Sequence, residues 1–129
     1  MEDRVTEAEL TTLVHRFYGK VREDDVLGPV FDHAISDWPH HLGKMVDFWS
    51  SVMLTTGRYK GNPMMMHLKH VARIRPQMFG RWLELWGETA RETLDDQGAS
   101  AVVAKADRIA ESLQLGLFVR LETRGNVAA

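Results

Sequence analysis

Residues 59–73 read YKGNPMMMHLKHVAR. Gly61, Asn62 and Pro63 form a turn signal, and Pro63 suits the first position of a helix, where a missing N–H costs nothing. The stretch therefore predicts a brief helix through Met64, Met65, Met66 and His67, followed by a looser segment from Val71 to Arg75. It gathers soft apolar bulk, two imidazoles and the cations Lys60, Lys69 and Arg73, with no carboxylate among them.

Working outward, helix signals continue on both sides. Downstream, Pro76 opens a long helix whose buried face is Phe79, Trp82, Leu83, Trp86, Ala90 and Leu94. Gly98 is read as the break before a last helix built on Val102, Val103, Ala106, Ile109, Leu113 and Leu117. Upstream, Ser36 or Asp37 caps a helix with Leu42, Met45, Val46, Trp49, Val52 and Met53 on one stripe, and Gly57 is read as its stop. Thr6 with Glu9 makes a capping box for a first helix on Leu10, Leu13, Val14, Phe17, Tyr18 and Val21, ending near Asp24–Asp25. Gly28–Pro29 then breaks the chain before a short apolar turn from Val30–Phe31 to Ile35. Four substantial helices, two short ones and no strand pattern give an all-α fold. A four-helix bundle and a globin-like sandwich both satisfy this pattern.

The 129 residues suit one domain, 1–129, with a core from about residue 6 to 123 and a frayed tail over 124–129. With 44% hydrophobic and 26% charged residues, the composition is that of a soluble globular chain. No apolar run reaches the length of a membrane span, so no membrane partner is expected. Absence of cysteine excludes disulfides, thiolate zinc sites and cysteine-held iron–sulfur clusters, and fits a cytoplasmic setting. A net charge of −2 argues against nucleic acid as partner. Yet no acid stands between Asp47 and Glu84, where Arg58, Lys60, Lys69, Arg73, Arg75 and Arg81 all fall. That basic island is either a solvated face or the seat of a small anionic ligand.

Of the six histidines, two have informative positions. With Met45 at zero and about 100° per residue, the apolar stripe runs from about −60° at Phe48 to about +100° at Val46. His41 falls inside it at about −40°, and His40 outside it near −140°. An inward imidazole must find a partner or act on a ligand, because an unpaired buried polar group is costly. His67 follows the methionines on the short helix, with His70 one turn on. Spacing at i, i+3 permits joint metal ligation, but no nearby carboxylate completes such a shell. One imidazole among methionines suits a large flat cofactor with a few anionic groups at its edge, as in haem. On residue chemistry alone, an ordinary core histidine stands ahead of that reading for His67.

The order of features decides further. Phe17-Tyr18-Gly19-Lys20-Val21-Arg22, Leu27-Gly28-Pro29-Val30-Phe31, Trp38-Pro39-His40-His41 with Asp47-Phe48-Trp49, the stretch from Tyr59 to His67, and Phe79-Gly80-Arg81-Trp82-Leu83 together resemble the bacterial truncated haemoglobins, most closely group III. The likeness runs from about Leu10 to Leu121; the Gly-Gly hinges of groups I and II are absent. It implies a shortened globin, a two-over-two helical sandwich around haem b. By that resemblance His67 is the proximal iron ligand, Tyr18 the distal tyrosine and His41 the distal histidine. Trp82 then completes the distal pocket, Met45 is an apolar position of its wall, and Phe31 packs on the haem. Phe48 and Phe79 are expected to line the cofactor, with Lys69 and Arg73 at its propionate edge.

The implied function is binding of O2 and other small ligands, NO, CO or peroxide, at a five-coordinate haem iron. Tyr18 and Trp82 would donate to the bound ligand, and His41 would donate or swing out as a gate. Turnover of nitric oxide or peroxide would require an external electron donor, since no reductase domain is present in the sequence. Two other classes are compatible with the residues. One is a non-haem metal centre on a helical bundle using His41, His67 and His70; the other is a cofactor-free globin-like interaction domain.

Overall fold

The computed structural model describes residues 5–119; the frayed tail expected over 124–129 lies outside them. The helices are α1 (Glu7–Glu23), α2 (Gly28–Ala34), α3 (Trp38–Leu54), α4 (Pro63–Leu68), α5 (Pro76–Thr93) and α6 (Asp96–Gln114). A 3-10 turn, Val71–Arg73, follows α4, and a π-helical turn, Leu115–Val119, continues α6. Among the described residues there is no strand, and no helix is long and apolar enough to cross a membrane.

Local chemistry sets most helix starts. The Thr6 hydroxyl accepts from Glu9 N (3.1 Å) while the Glu9 carboxylate accepts from Thr6 N (2.9 Å), so two orphan donors of α1 are satisfied reciprocally. Asp37 caps α3 by accepting from His40 N, and Asn62 caps α4 by accepting from Met65 N. Pro39, Pro63 and Pro76 each occupy a first turn, where the fixed φ favours helix entry.

Four boundaries differ from the sequence expectation. The apolar turn after Gly28–Pro29 is a full short helix, α2. The expected stop at Gly57 comes earlier: α3 ends at Leu54, and Thr55 takes the left-handed conformation at φ 60°. A hydroxyl cluster holds that exit, with Ser50 Oγ 2.9 Å from Thr56 Oγ1 and Tyr59 N donating to Ser51 Oγ. Gly98 does not separate α5 from α6; it lies in the first turn of α6 and donates its N–H to the capping Asp95 (2.7 Å). The segment after Lys69 is not wholly loose, since Val71–Arg73 closes a 3-10 turn.

Two antiparallel pairs make the sandwich. Arg58, just past α3, pairs with Glu7 at the start of α1, while Tyr18, late in α1, meets Trp38 and His41 at the start of α3. Helices α5 and α6 are joined through Leu94 and Asp95 alone, and pack along each other. Helix α1 locks the pairs together: Phe17 sits edge-on to Trp82 and Trp86, and Lys20 reaches Glu88 (2.6 Å) and Glu92 (2.9 Å). Leu10, Leu13, Val14, Phe17, Val21, Trp86 and Val102 are fully enclosed, each large side chain contributing about 1.5–3 kcal/mol by leaving water.

The α1–α2 junction depends on one glycine. A Cβ at Gly28 would stand 2.9 Å from the Arg22 carbonyl oxygen and 3.4 Å from that of Val21, and backbone atoms cannot rotate away. Gly28→Ala is expected to lower stability by about 1–3 kcal/mol, read from the urea midpoint. An unchanged midpoint would mean that the junction relaxes freely.

Candidate functional site

A cavity of about 250 Å³ opens between the two helix pairs. Tyr18, Phe31, His41, Met45, Phe48, His67, Phe79 and Trp82 all line it. Lys69 and Arg73 do not; both are exposed, and the lining instead includes Lys44 and His70.

His67 enters from α4. Its Nδ1 lies 2.7 Å from the Pro63 carbonyl oxygen, which can only accept, so Nδ1 carries the proton and Nε2 is left with a free lone pair. Burial pushes its pKa below the ordinary value and the nearby His70 adds to this, while the Pro63 bond opposes both; the ring is held neutral, the form that ligates metals. A six-residue helix is far too short to stand alone. It is anchored by Met64 and Leu68, which pack into a cluster centred on Phe79, Ala110, Leu113 and Leu117. Gly116 on the π-helical turn makes room for this: a Cβ there would collide with Met64 Cε.

The three methionines do not act alike. Met64 is packed, Met66 reaches the cavity but stays 48% exposed, and Met65 is 53% exposed. Consecutive residues on a helix point about 100° apart, so a run of three cannot share one face.

Tyr18 and His41 enter from α1 and α3. Their rings meet edge-on at 4.9 Å, and Trp38 closes on His41 at 5.5 Å. Arg22 lies over Trp38, 4.5 Å from its ring centre. His40, by contrast, is exposed, as the helical angles require. Burial raises the Tyr18 phenol well above its usual range, so it remains a protonated donor. His41 Nε2 is buried without a hydrogen-bond partner. Such an atom costs about 1–3 kcal/mol unless a ligand or water satisfies it. His67 has no ring contact with this cluster among the described residues, so donor and candidate ligand occupy different parts of the wall.

Trp82 lies against a stack of indoles. Trp49 and Trp86 stack at 4.4 Å and 22°, and Trp86 and Trp82 at 5.8 Å and 4°. Trp86 is pinned by its Nε1–H donating to the Val102 carbonyl (3.2 Å). The outer indole, Trp82, is therefore oriented from behind by a buried one.

Sequence reasoning missed Lys44 and Tyr59 in the lining. Lys44 falls at about −100° on the α3 wheel, just beyond the stripe, where a long stem can still reach the cavity. Nothing in the periodicity of residues 59–62 marks Tyr59, whose ring is set edge-on to Phe48 at 5.1 Å.

Burial lowers the His41 pKa from the ordinary 6.5 to about 4, with the charges of Lys44 and His40 adding to it. An unfolded chain takes up this proton before the folded one does. Folding stability is therefore expected to fall as pH drops from about 6.5 toward 4, and His67 contributes with the same sign. Urea midpoints across that window, for wild type and His41→Gln, check it; equal slopes would remove His41 from the account.

Among the described residues, no three His, Cys, Asp or Glu side chains come together to hold a metal ion. The non-haem centre on His41, His67 and His70 is therefore not formed. A model of the bacterial-like globins matches residues 4–114. The chain belongs to this family. Globins are haem proteins that bind small ligands, and this globin is a truncated one. It is 29% identical over 120 residues to Group 3 truncated hemoglobin ctb of Campylobacter jejuni, covering 90% of this chain and 94% of that one. It also superimposes on the crystal structure of a group III truncated hemoglobin from Campylobacter jejuni with a TM-score of 0.82. That match carries 30% identity and covers 91% of this chain and 94% of the other. The globin's described fold is the two-over-two sandwich that the family resemblance implies.

Proposed function

We propose that this globin holds haem b through His67 Nε2 and binds O2 and other small ligands, NO, CO or peroxide, on the face opposite His67. The observation that carries the reading is the His67 ring, its Nδ1 held by the Pro63 carbonyl and its Nε2 left free, in the lining of a cavity that Tyr18, His41 and Trp82 also line. When bound, haem supplies an iron able to take a diatomic ligand or peroxide and to change oxidation state.

The protein's own groups do the rest. Phe31, Met45, Phe48 and Phe79 offer apolar walls to a flat cofactor and exclude water. Lys44 and His70, both in the lining, are better placed for the two cofactor carboxylates than the exposed Lys69 and Arg73. Tyr18 stays a phenol and Trp82 is a pure donor, so both favour a ligand that carries partial negative charge. His41 is neutral at physiological pH, and its orphaned Nε2 can move a single proton, as turnover of peroxide or nitric oxide would require. Against a cofactor-free interaction domain stands that buried unpaired nitrogen beside a preformed cavity.

Visible spectra of the purified protein, oxidised, reduced and with carbon monoxide, test the reading. A Soret band that shifts with each state supports it, and a colourless protein after haem reconstitution overturns it. Tyr18→Phe is expected to speed oxygen dissociation by roughly ten- to a hundredfold, the rate equivalent of about 1.5–3 kcal/mol for a hydrogen bond to a charged acceptor. Stopped-flow displacement by carbon monoxide measures it; an unchanged rate would remove Tyr18 from ligand stabilisation.

A further inference from the structure

The acid-free stretch splits into two groups of cations once folded. Arg58 is neutralised by Glu7 and Asp47, and Arg81 by Asp24 (2.7 Å) and Glu84 (3.1 Å). Lys60, Lys69, Arg73 and Arg75 are exposed, and none forms an ion pair among the described residues. These four also lie outside the cavity lining, which includes Lys44 and His70. Their charge is thus surplus to the site. Along the chain they precede and follow α4, the helix that carries His67, whose Met65 and Met66 leave about half their surface in water. Methionine is the side chain that adapts best to an incoming surface. Exposed apolar groups ringed by one sign of charge suit a protein partner of the opposite sign.

We propose that the face formed by α4 and its flanks, with Met65 and Met66 at the centre and Lys60, Lys69, Arg73 and Arg75 around them, docks an acidic protein that carries an electron-transfer cofactor. This rests on the haem reading: the partner's reduced flavin or iron–sulfur group gives up one electron and the haem iron is reduced by one. Docking there places the donor behind the single short helix that holds His67. Charge complementarity steers the encounter, and the small apolar centre keeps the complex weak and exchangeable.

The probe is flavodoxin, an acidic FMN protein, titrated into the purified globin by calorimetry and amide shift mapping at low and high salt. Binding is expected at low ionic strength, with shifts on residues 60–75. Lys60→Glu with Arg75→Glu is expected to weaken it by about tenfold or more, and Lys105→Glu with Arg108→Glu on α6 by less than about twofold. Equal losses in both pairs overturn the proposal, because only net charge would then matter. No binding of flavodoxin by wild type overturns it too. So does uptake of the globin by phosphatidylglycerol vesicles in place of flavodoxin, which would make the face a membrane contact. A Soret band recorded on every sample keeps the two readings apart. Loss of docking with the band intact sinks the docking face alone; docking without a band sinks the haem reading and, with it, the electron-transfer role of the face.

Discussion

His67→Gly should fold as wild type does and fail to retain haem. The side chain is half-buried at the edge of the core and forms one hydrogen bond, to Pro63, so its removal costs the fold little. Removing a mere hydrogen-bond partner of a metal ligand typically costs about 10–100-fold in affinity, and deletion of the ligand itself should exceed that. Haem transfer to apomyoglobin measures the loss, with far-UV circular dichroism as the folding control. Imidazole added to the solution is expected to restore the Soret band, since the space vacated is the size of the missing ring. His41→Ala is the counterpart: haem is retained while ligand kinetics change, because His41 belongs with Tyr18 and not with α4. Should His41→Ala abolish haem uptake and His67→Gly spare it, the proximal and distal assignments are exchanged.

Trp86→Ala should be the most damaging substitution for the fold, lowering stability by about 3–5 kcal/mol. Trp86 is 1% exposed, stacks between Trp49 and Trp82, meets Phe17 edge-on and donates its indole N–H to Val102. Alanine would leave a cavity where α1, α3, α5 and α6 converge. It would also remove the hydrogen bond from the indole to the Val102 carbonyl. A domain of this size has only about 5–15 kcal/mol in hand, so the urea midpoint should collapse. Trp86→Phe keeps much of the volume and should cost clearly less. It also removes the backing that orients Trp82, so ligand kinetics should move even in a variant that still folds. If Trp86→Ala cost under about 1 kcal/mol, the stack would be ornamental packing that relaxes on truncation.

Much of the chain was legible locally. The capping box at Thr6 and Glu9, the Asp37 and Asn62 caps and the first-turn prolines are short-range devices, and α1, α3, α4 and α5 begin where they place them. Helix ends were less legible. Gly57 and Gly98 are plausible breakers, but the α3 exit is set by hydroxyls of Ser50, Ser51 and Thr56, and α6 starts on the Asp95 carboxylate. Side chains that meet after a turn override a local preference of about 1 kcal/mol.

The amino-acid sequence by itself determined the helices, the inward angle of His41, the helix that carries His67 and a long stretch without acid. These depend on residue type and on a fixed rise and twist per residue, so they are present in the order of the letters. Only the tertiary structure decided which basic groups are spent and which are surplus. Arg58 and Arg81 find acids brought from α1, α3 and α5, whereas Lys69 and Arg73 find none and stay outside the cavity. It also sorted Met64 from Met65 and Met66, left His41 Nε2 unpaired and stacked two tryptophans, Trp86 and Trp49, behind Trp82. Pairing, burial and stacking join groups far apart along the chain, and no periodicity within one helix encodes them.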